Sequence, residues 1–278
     1  MKDMTQPVFC ATIIAMEKIV NGYSIRYKET GEGPKTAVIL QGWGTDMKLY
    51  DTVAADLSDA YRVIQLNLPG FSDSDEPKEP WSVEDFCNWF ISFMQEMKIG
   101  KATLIGHSYG CRMMIRMAAR DPKDLPFTIE EMVMIDGAGI QREKTPAQKR
   151  RVARYKRMKA IAHFAPVYWL FGDAVDIWQS QQGSADYRAS SPMMKQCMSK
   201  AVNEDQSPLL PKISVKTYLI WGENDTATPL RDGEDMEKMI QDAQLYVIKG
   251  AGHFSFIEKQ QEFKIILRSF LLGEGGRS

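Results

Sequence analysis

Short apolar runs alternate with stretches of helical periodicity along most of this chain, and that alternation narrows the choice of fold more than any other feature. "TAVILQGWG" (36–44), "YRVIQL" (61–66), "KATLIGHS" (101–108), "EEMVMIDGAG" (130–139), "VKTYLIWGEND" (215–225) and "QLYVIKGAGH" (244–253) read as strands. Between them lie helical patterns: Val83, Phe86, Phe90, Phe93, Met94 and Met97 fall at helical spacing over 82–98, and "YGCRMMIRMAAR" ends before Pro122. Strands joined through helices pair in parallel, so the expected fold class is α/β with a mostly parallel sheet. Two further strands are expected over 12–28, around the hairpin signal Asn21-Gly22, and a closing helix from about Glu258 to Leu272. The rhythm breaks over 140–211, which carries helical patterns and no convincing buried strand. The predicted organisation is a sheet-based core formed by 1–139 and 212–278, with 140–211 as a helical insertion between two strands.

The chemistry concentrates in "LIGHSYGCRM" (104–113). Gly106-His107-Ser108-Tyr109-Gly110 fits G-x-S-x-G, with an apolar strand before it and a helix after it. Glycines let neighbouring backbone crowd such a turn, and the following helix start offers free N–H groups and a positive dipole end. A serine hydroxyl there is a candidate nucleophile once a base removes its proton. The chain has only three histidines. His107 is adjacent to Ser108 and points elsewhere on a sharp elbow, and His163 lies in the helical insertion. His253, in "KGAGHFSF", follows a strand and is the best base. The carboxylate that fixes the imidazole tautomer is expected to be Asp225 in "LIWGENDTATP", with Asp136 in "VMIDGAG" as its rival and Glu223 as a structural residue.

With "QGWG" (41–44), "LPGFSDSD" (68–75), "GHSYG" (106–110), "WGENDTATP" (221–229) and "GAGHF" (250–254) in that order, the chain resembles the α/β-hydrolase superfamily from the hairpin to the closing helix. The order Ser108, Asp225, His253 is the nucleophile–acid–base order of that fold. The resemblance implies an eight-stranded, mostly parallel sheet with helices on both faces, a helical cap inserted after the sixth strand at 140–211, and hydrolysis through an acyl-enzyme. It also implies an oxyanion hole from the backbone N–H groups of Trp43 and Tyr109. Where the family often has His-Gly, this chain has Gln41-Gly42, which leaves the backbone donor in place and gives Gln41 the part of a polar residue packing beneath the loop. Relatives that use an aspartate nucleophile at the serine position are excluded.

The implied substrate is a small-molecule ester or ester-like compound. Lactones, thioesters, amino-terminal prolyl peptides and carbon–carbon bonds of ring-cleavage diketones remain open, because one capped fold serves them all. The competing class is a ligand sensor on the same scaffold. Trp43, Tyr109 and Phe254, with Trp169, Phe171 and Trp178 from the insertion, are candidates to line the substrate pocket. In "QREKTPAQKRRVARYKRMK" (141–159) nine Lys or Arg stand against one Glu, and Val152, Tyr155, Met158 and Ala162 recur at helical spacing, so an amphipathic helix with a basic outer face is expected.

Composition excludes several classes. A formal net charge of −1 gives no reason to expect a nucleic-acid partner or an anionic membrane, and no apolar run approaches the ~20 residues of a membrane span. "PVFCATIIAM" is briefly apolar but lacks a clear cleavage pattern. Cys10, Cys87, Cys111 and Cys197 form no CxxC pair, so reduced thiols in a cytoplasmic protein are expected rather than disulfides. No metal-ligand cluster or phosphate-binding loop stands out, so no metal and no cofactor is expected; the assembly is expected to be a monomer or homodimer.

Overall fold

The hairpin signal at Asn21-Gly22 opens the sheet. Asn21 (φ 50°) and Gly22 (φ 80°) both take positive φ, as a two-residue turn matched to strand twist requires. It joins β1 (Met16–Val20) to β2 (Tyr23–Thr30) in antiparallel register, Val20 facing Tyr23. A computed structural model describes residues 15–142, 146–162 and 185–274. The remaining strands are β3 (Lys35–Leu40), β4 (Tyr61–Leu66), β5 (Lys101–His107), β6 (Thr128–Ile135), β7 (Thr217–Gly222) and β8 (Ala243–Ile248). They form one eight-stranded sheet in the order β1-β2-β4-β3-β5-β6-β7-β8. The pairs β1–β2 and β2–β4 are antiparallel and every later pair is parallel.

Burial explains why the central strands read as unbroken apolar runs. All six residues of β7 and six of the seven in β5 are buried, as expected where helices cover both faces of a parallel sheet. On one face α2 (Val83–Glu96), α3 (Tyr109–Ala118) and α7 (Leu230–Met239) pack through Phe86, Phe90, Met113, Met117 and Met236. On the other, α1 (Asp51–Ala55), α8 (Ser255–Glu258) and α9 (Gln260–Leu272) contribute Val53, Phe256, Phe263 and Leu267. Helix α2 starts where Ser82 and Asp85 cap each other reciprocally, and α9 stops at Gly273 in the left-handed region. Helix α7 has few apolar residues, Leu230, Met236 and Met239, among many charged ones, and is not among the expected elements.

Between β6 and β7 the described chain holds α4 (Pro146–Ala162), α5 (Ala185–Ala189) and α6 (Pro192–Val202), with no strand among its described residues. Helix α4 covers the predicted basic segment, but the expected apolar stripe is not a buried one. Val152, Tyr155 and Ala162 are half-buried, whereas Met158 and the neighbouring Ile161 are exposed. Low sequence contrast between its faces accounts for this: lysine and arginine occur all round the helix rather than on one side. His163, Trp169, Phe171 and Trp178 lie outside the described residues, as does Cys10. Cys87, Cys111 and Cys197 are free and buried. Among the described residues no helix is long and apolar enough to cross a membrane.

The sheet order creates the place for a site. From β3 the chain runs to β4 on one side and then to β5 on the other, so the loops after β3 and β5 part from each other. A crevice opens at the carboxyl ends of the strands at such a reversal. Helix α3 is pressed close to β3 there: a Cβ on Gly110 would lie 2.1 Å from the Leu40 carbonyl oxygen. Gly110→Ala is therefore expected to destabilise the protein by about 3 kcal/mol, the upper end for overpacking against unyielding backbone; urea denaturation of the variant beside wild type checks this.

Candidate active site

Ser108 sits at the turn between β5 and α3 with φ 48° and ψ −107°, a conformation rare for a residue with a side chain. Three backbone hydrogen bonds hold it: Ser108 N–H donates to Ile135 O (3.0 Å), and Ala138 N–H (3.0 Å) and Cys111 N–H (3.1 Å) donate to Ser108 O. The flanking glycines leave room for close neighbours, most strictly at Gly110, which meets unyielding backbone. A Cβ on Gly106 would meet Met114 Sδ at 2.3 Å, and Gly110 abuts Leu40.

The loops beyond β7 and β8 bring Asp225 and His253 to the same edge. His253 Nε2 lies 3.0 Å from Ser108 Oγ, and His253 Nδ1 lies 2.7 Å from Asp225 Oδ2. A carboxylate only accepts, so Nδ1 carries the proton and Nε2 is left to accept from the serine hydroxyl. Asp225 is held from behind: Ala227 N–H (2.7 Å) and Thr228 N–H (3.0 Å) donate to Oδ1, and Thr228 Oγ1 lies 2.7 Å from Oδ2. Burial pushes the Asp225 carboxyl up, but the hydrogen bonds from His253 and Thr228 outweigh it and hold the group below the ordinary carboxylate range. Thr228, three residues beyond Asp225, was not singled out in the sequence; an Asx-type turn in "NDTATP" is the signal that points to it.

Asp136, the rival carboxylate, is placed elsewhere. Gly222 N–H donates to its Oδ1 (2.7 Å), and Ser255 N–H (3.2 Å) and Oγ–H (2.7 Å) donate to its Oδ2. Burial raises its pKa to about 7 against these donors. It ties the end of β7 to the start of α8, and the His253 imidazole is turned to Asp225 instead.

His107 is also occupied. It is buried, and its Nε2–H donates to the His253 carbonyl oxygen at 2.8 Å. Its Nδ1 therefore accepts, from the Tyr50 hydroxyl at 3.0 Å. Tyr50 in turn accepts from Gly42 N–H at 2.8 Å. A chain of hydrogen bonds thus runs from the loop after β3, through Tyr50 and His107, to the backbone of the loop that carries His253. Tyr50 gave no signal in the sequence, because a tyrosine in the mixed stretch "TDMKLYDT" matches no motif.

The loop after β3 is fixed from below by Gln41, which is buried. Its Nε2 donates to Thr45 O, and its Oε1 accepts from Leu68 N–H at 3.3 Å. Since Gly42 N–H is taken by Tyr50, Trp43 offers the next N–H along the loop. Tyr109 opens α3, so its N–H is one of the donors that a helix start leaves without an intrahelical partner. The Trp43 and Tyr109 rings pack edge-to-face at 4.8 Å and, with Ser108, His253 and Phe254, line a cavity of about 430 Å³. Helix α6 contributes Met198, Ala201 and Val202 to the same cavity. Among the described residues no group of His, Cys, Asp and Glu could hold a metal ion.

The family described as the alpha/beta hydrolase fold matches residues 36–260. The chain belongs to that family and is an enzyme of the hydrolase class. Among curated relatives, 2-hydroxy-6-oxo-6-phenylhexa-2,4-dienoate hydrolase of Comamonas testosteroni is 24% identical, over 92% of this chain and 93% of its own. Pimeloyl-[acyl-carrier protein] methyl ester esterase of Neisseria meningitidis is 23% identical, over 88% of this chain and 80% of its own. Among solved structures, an enol-lactonase from Burkholderia xenovorans superposes with a TM-score of 0.69 at 23% identity, over 92% of this chain and 99% of the other.

Burial pushes the His107 imidazole down to about 3, with repulsion from His253 adding to it. An unfolded histidine titrates near 6.5, so between pH 6.5 and 3 the unfolded chain binds a proton that the folded chain refuses. His107 thus lowers stability as pH falls through that window and has no such effect above it. Wild type is expected to lose unfolding free energy more steeply than His107→Gln between pH 6 and 4 in denaturant titrations.

Proposed function

We propose that this protein hydrolyses small to medium carboxylic esters through an acyl-enzyme on Ser108. The observation that carries the reading is the Ser108–His253–Asp225 relay, with contacts of 3.0 and 2.7 Å, at a strained strand-to-helix turn facing a cavity. Ser108 Oγ attacks the ester carbonyl carbon as its proton passes to His253 Nε2. Negative charge gathers on the carbonyl oxygen, where the Trp43 and Tyr109 N–H groups receive it. His253 then gives its proton to the departing alkoxide, leaving the acyl group on Ser108. Water attacks this acyl carbon, losing its proton to His253, and the carboxylic acid leaves as Ser108 regains its hydrogen. Asp225 holds the imidazole in the tautomer this sequence needs and stabilises the imidazolium. Each oxyanion donor is worth roughly 3–4 kcal/mol in transition-state stabilisation.

The described residues between β6 and β7 act as a cap in this reading, supported by the α6 side chains that line the cavity together with Ser108. The methyl ester esterase of Neisseria meningitidis supports ester hydrolysis. The Comamonas testosteroni hydrolase and the Burkholderia xenovorans enol-lactonase mark carbon–carbon and lactone substrates as the competing choices within the same chemistry.

Wild type is expected to turn over para-nitrophenyl acetate and butyrate and to be labelled by a fluorophosphonate probe, and Ser108→Ala to lose both. Labelling that survives in Ser108→Ala overturns the nucleophile assignment. Asp225→Asn should lower kcat by about 10⁴-fold, while Asp136→Asn, which turns an amide N–H toward a backbone or hydroxyl donor, should act mainly on stability, by about 1–3 kcal/mol. The reverse pattern transfers the acid role to Asp136.

A further inference from the structure

Arg112 lies four residues beyond Ser108, in the first turn of α3, which begins at Tyr109. It lines the cavity that holds Ser108 and His253 and is only 7% exposed. Buried charges are ordinarily paired, and a guanidinium has five N–H donors. Among the described residues Arg112 makes a single side-chain hydrogen bond, from Nη1 to the Glu204 carbonyl oxygen at 2.8 Å.

Three carboxylates act on this cation electrostatically, those of Glu204, Asp205 and Asp232, and each is held by other donors. Glu204 accepts from Arg116 and from Gln206 Nε2 (2.9 Å). Asp205 accepts from Gln141 N–H (3.0 Å) and from Ser207 N–H (3.2 Å) and Oγ–H (2.7 Å). Asp232, which also lines the cavity, accepts from Arg142, whose Nη2 bonds Asp235 as well (2.8 Å). Arg112 is left as a cation at the cavity wall whose fork makes one hydrogen bond to a carbonyl, in a cavity also lined by apolar Ile140, Met198 and Val202.

We propose that Arg112 receives an anionic group of the substrate, so that the preferred ester carries a carboxylate a short acyl spacer away from its scissile carbonyl. This deepens the ester-hydrolase reading and rests on it for the position of the carbonyl. The planar fork suits a carboxylate taken by two N–H groups, and the helical turn between Ser108 and Arg112 sets the spacer. An arginine that merely secured the Glu204 carbonyl would give no preference between charged and neutral ligands.

The test reads binding apart from turnover. Ser108→Ala protein is titrated calorimetrically with monomethyl succinate, glutarate and adipate, and with methyl butyrate, pentanoate and hexanoate as neutral counterparts. At least one half-ester should bind about ten- to a hundredfold more tightly than its neutral counterpart, the range expected of hydrogen bonds to a buried charge. Adding Arg112→Gln should collapse that ratio toward one, and Arg112→Lys, which keeps the charge without the fork, should restore part of it. Equal binding of charged and neutral esters overturns the proposal, whether or not Arg112→Gln folds, and so does a preference that survives Arg112→Gln. Anion-selective binding in a protein whose Ser108 fails the fluorophosphonate test would keep Arg112 and overturn the hydrolase reading. Ester turnover without anion preference would do the reverse.

Discussion

The backbone at Ser108 is the constraint on which the rest of the site depends. A side-chain-bearing residue at φ 48° and ψ −107° costs of order 1–3 kcal/mol, and the surroundings must over-determine it. Here β6 takes its N–H, the chain beyond β6 and the first turn of α3 donate to its carbonyl, and Gly110 lets α3 close onto β3. The same contacts that enforce the turn lock β3, β5 and β6 to one helix. Tertiary packing and site geometry are thus one set of interactions, and a relaxed turn would drop the hydroxyl back toward the sheet.

Two buried polar residues then join the loops to that frame. His107 links the His253 backbone to Tyr50 and so to Gly42 in the loop after β3. Asp136, itself at positive φ (46°), links Gly222 to Ser255. Loops are ordinarily the mobile parts of a fold, but these are tied to strand ends by donors and acceptors that are satisfied and out of water. Such bonds gain strength in the low-dielectric interior and become costly when half-broken. His107, held neutral by burial and bonded through both ring nitrogens, has no nitrogen free to take a proton from Ser108.

The strands were legible because burial on both faces leaves little room for polar residues, and the hairpin because Asn21-Gly22 demands one turn type. Ser108, Asp225 and His253 could be nominated from their places just past strands and from the scarcity of histidine. The sequence favoured Asp225 but kept Asp136 as a rival, since both follow an apolar strand; only the folded backbone separates them, with Asp225 meeting the His253 imidazole and Asp136 bonded to Gly222 and Ser255. Tyr50 escaped notice for another reason: it bonds His107, distant in the chain, and no local pattern encodes that. Thr228 left only the short turn signal that follows Asp225. Helix α4 was legible as a helix, but its buried face was not, because charge surrounds it.

In the proposed reading, selectivity in this cavity comes from two unequal sources. Trp43, Phe254, Met198 and Val202 offer apolar walls, and such walls discriminate weakly, since a methylene gained or lost changes binding by only about 1–3 kcal/mol. A buried polar group discriminates far more strongly, because a ligand that fails to bond it leaves its desolvation uncompensated. Arg112, nearly buried at the wall of this cavity in the first turn of α3, is the proposed group of this kind. Chain length would then be read loosely and charge strictly. In the proposed reading the charge is read from a helix whose start also carries the Tyr109 N–H, so a ligand seated on Arg112 would be registered against the same rigid body as the proposed oxyanion donor.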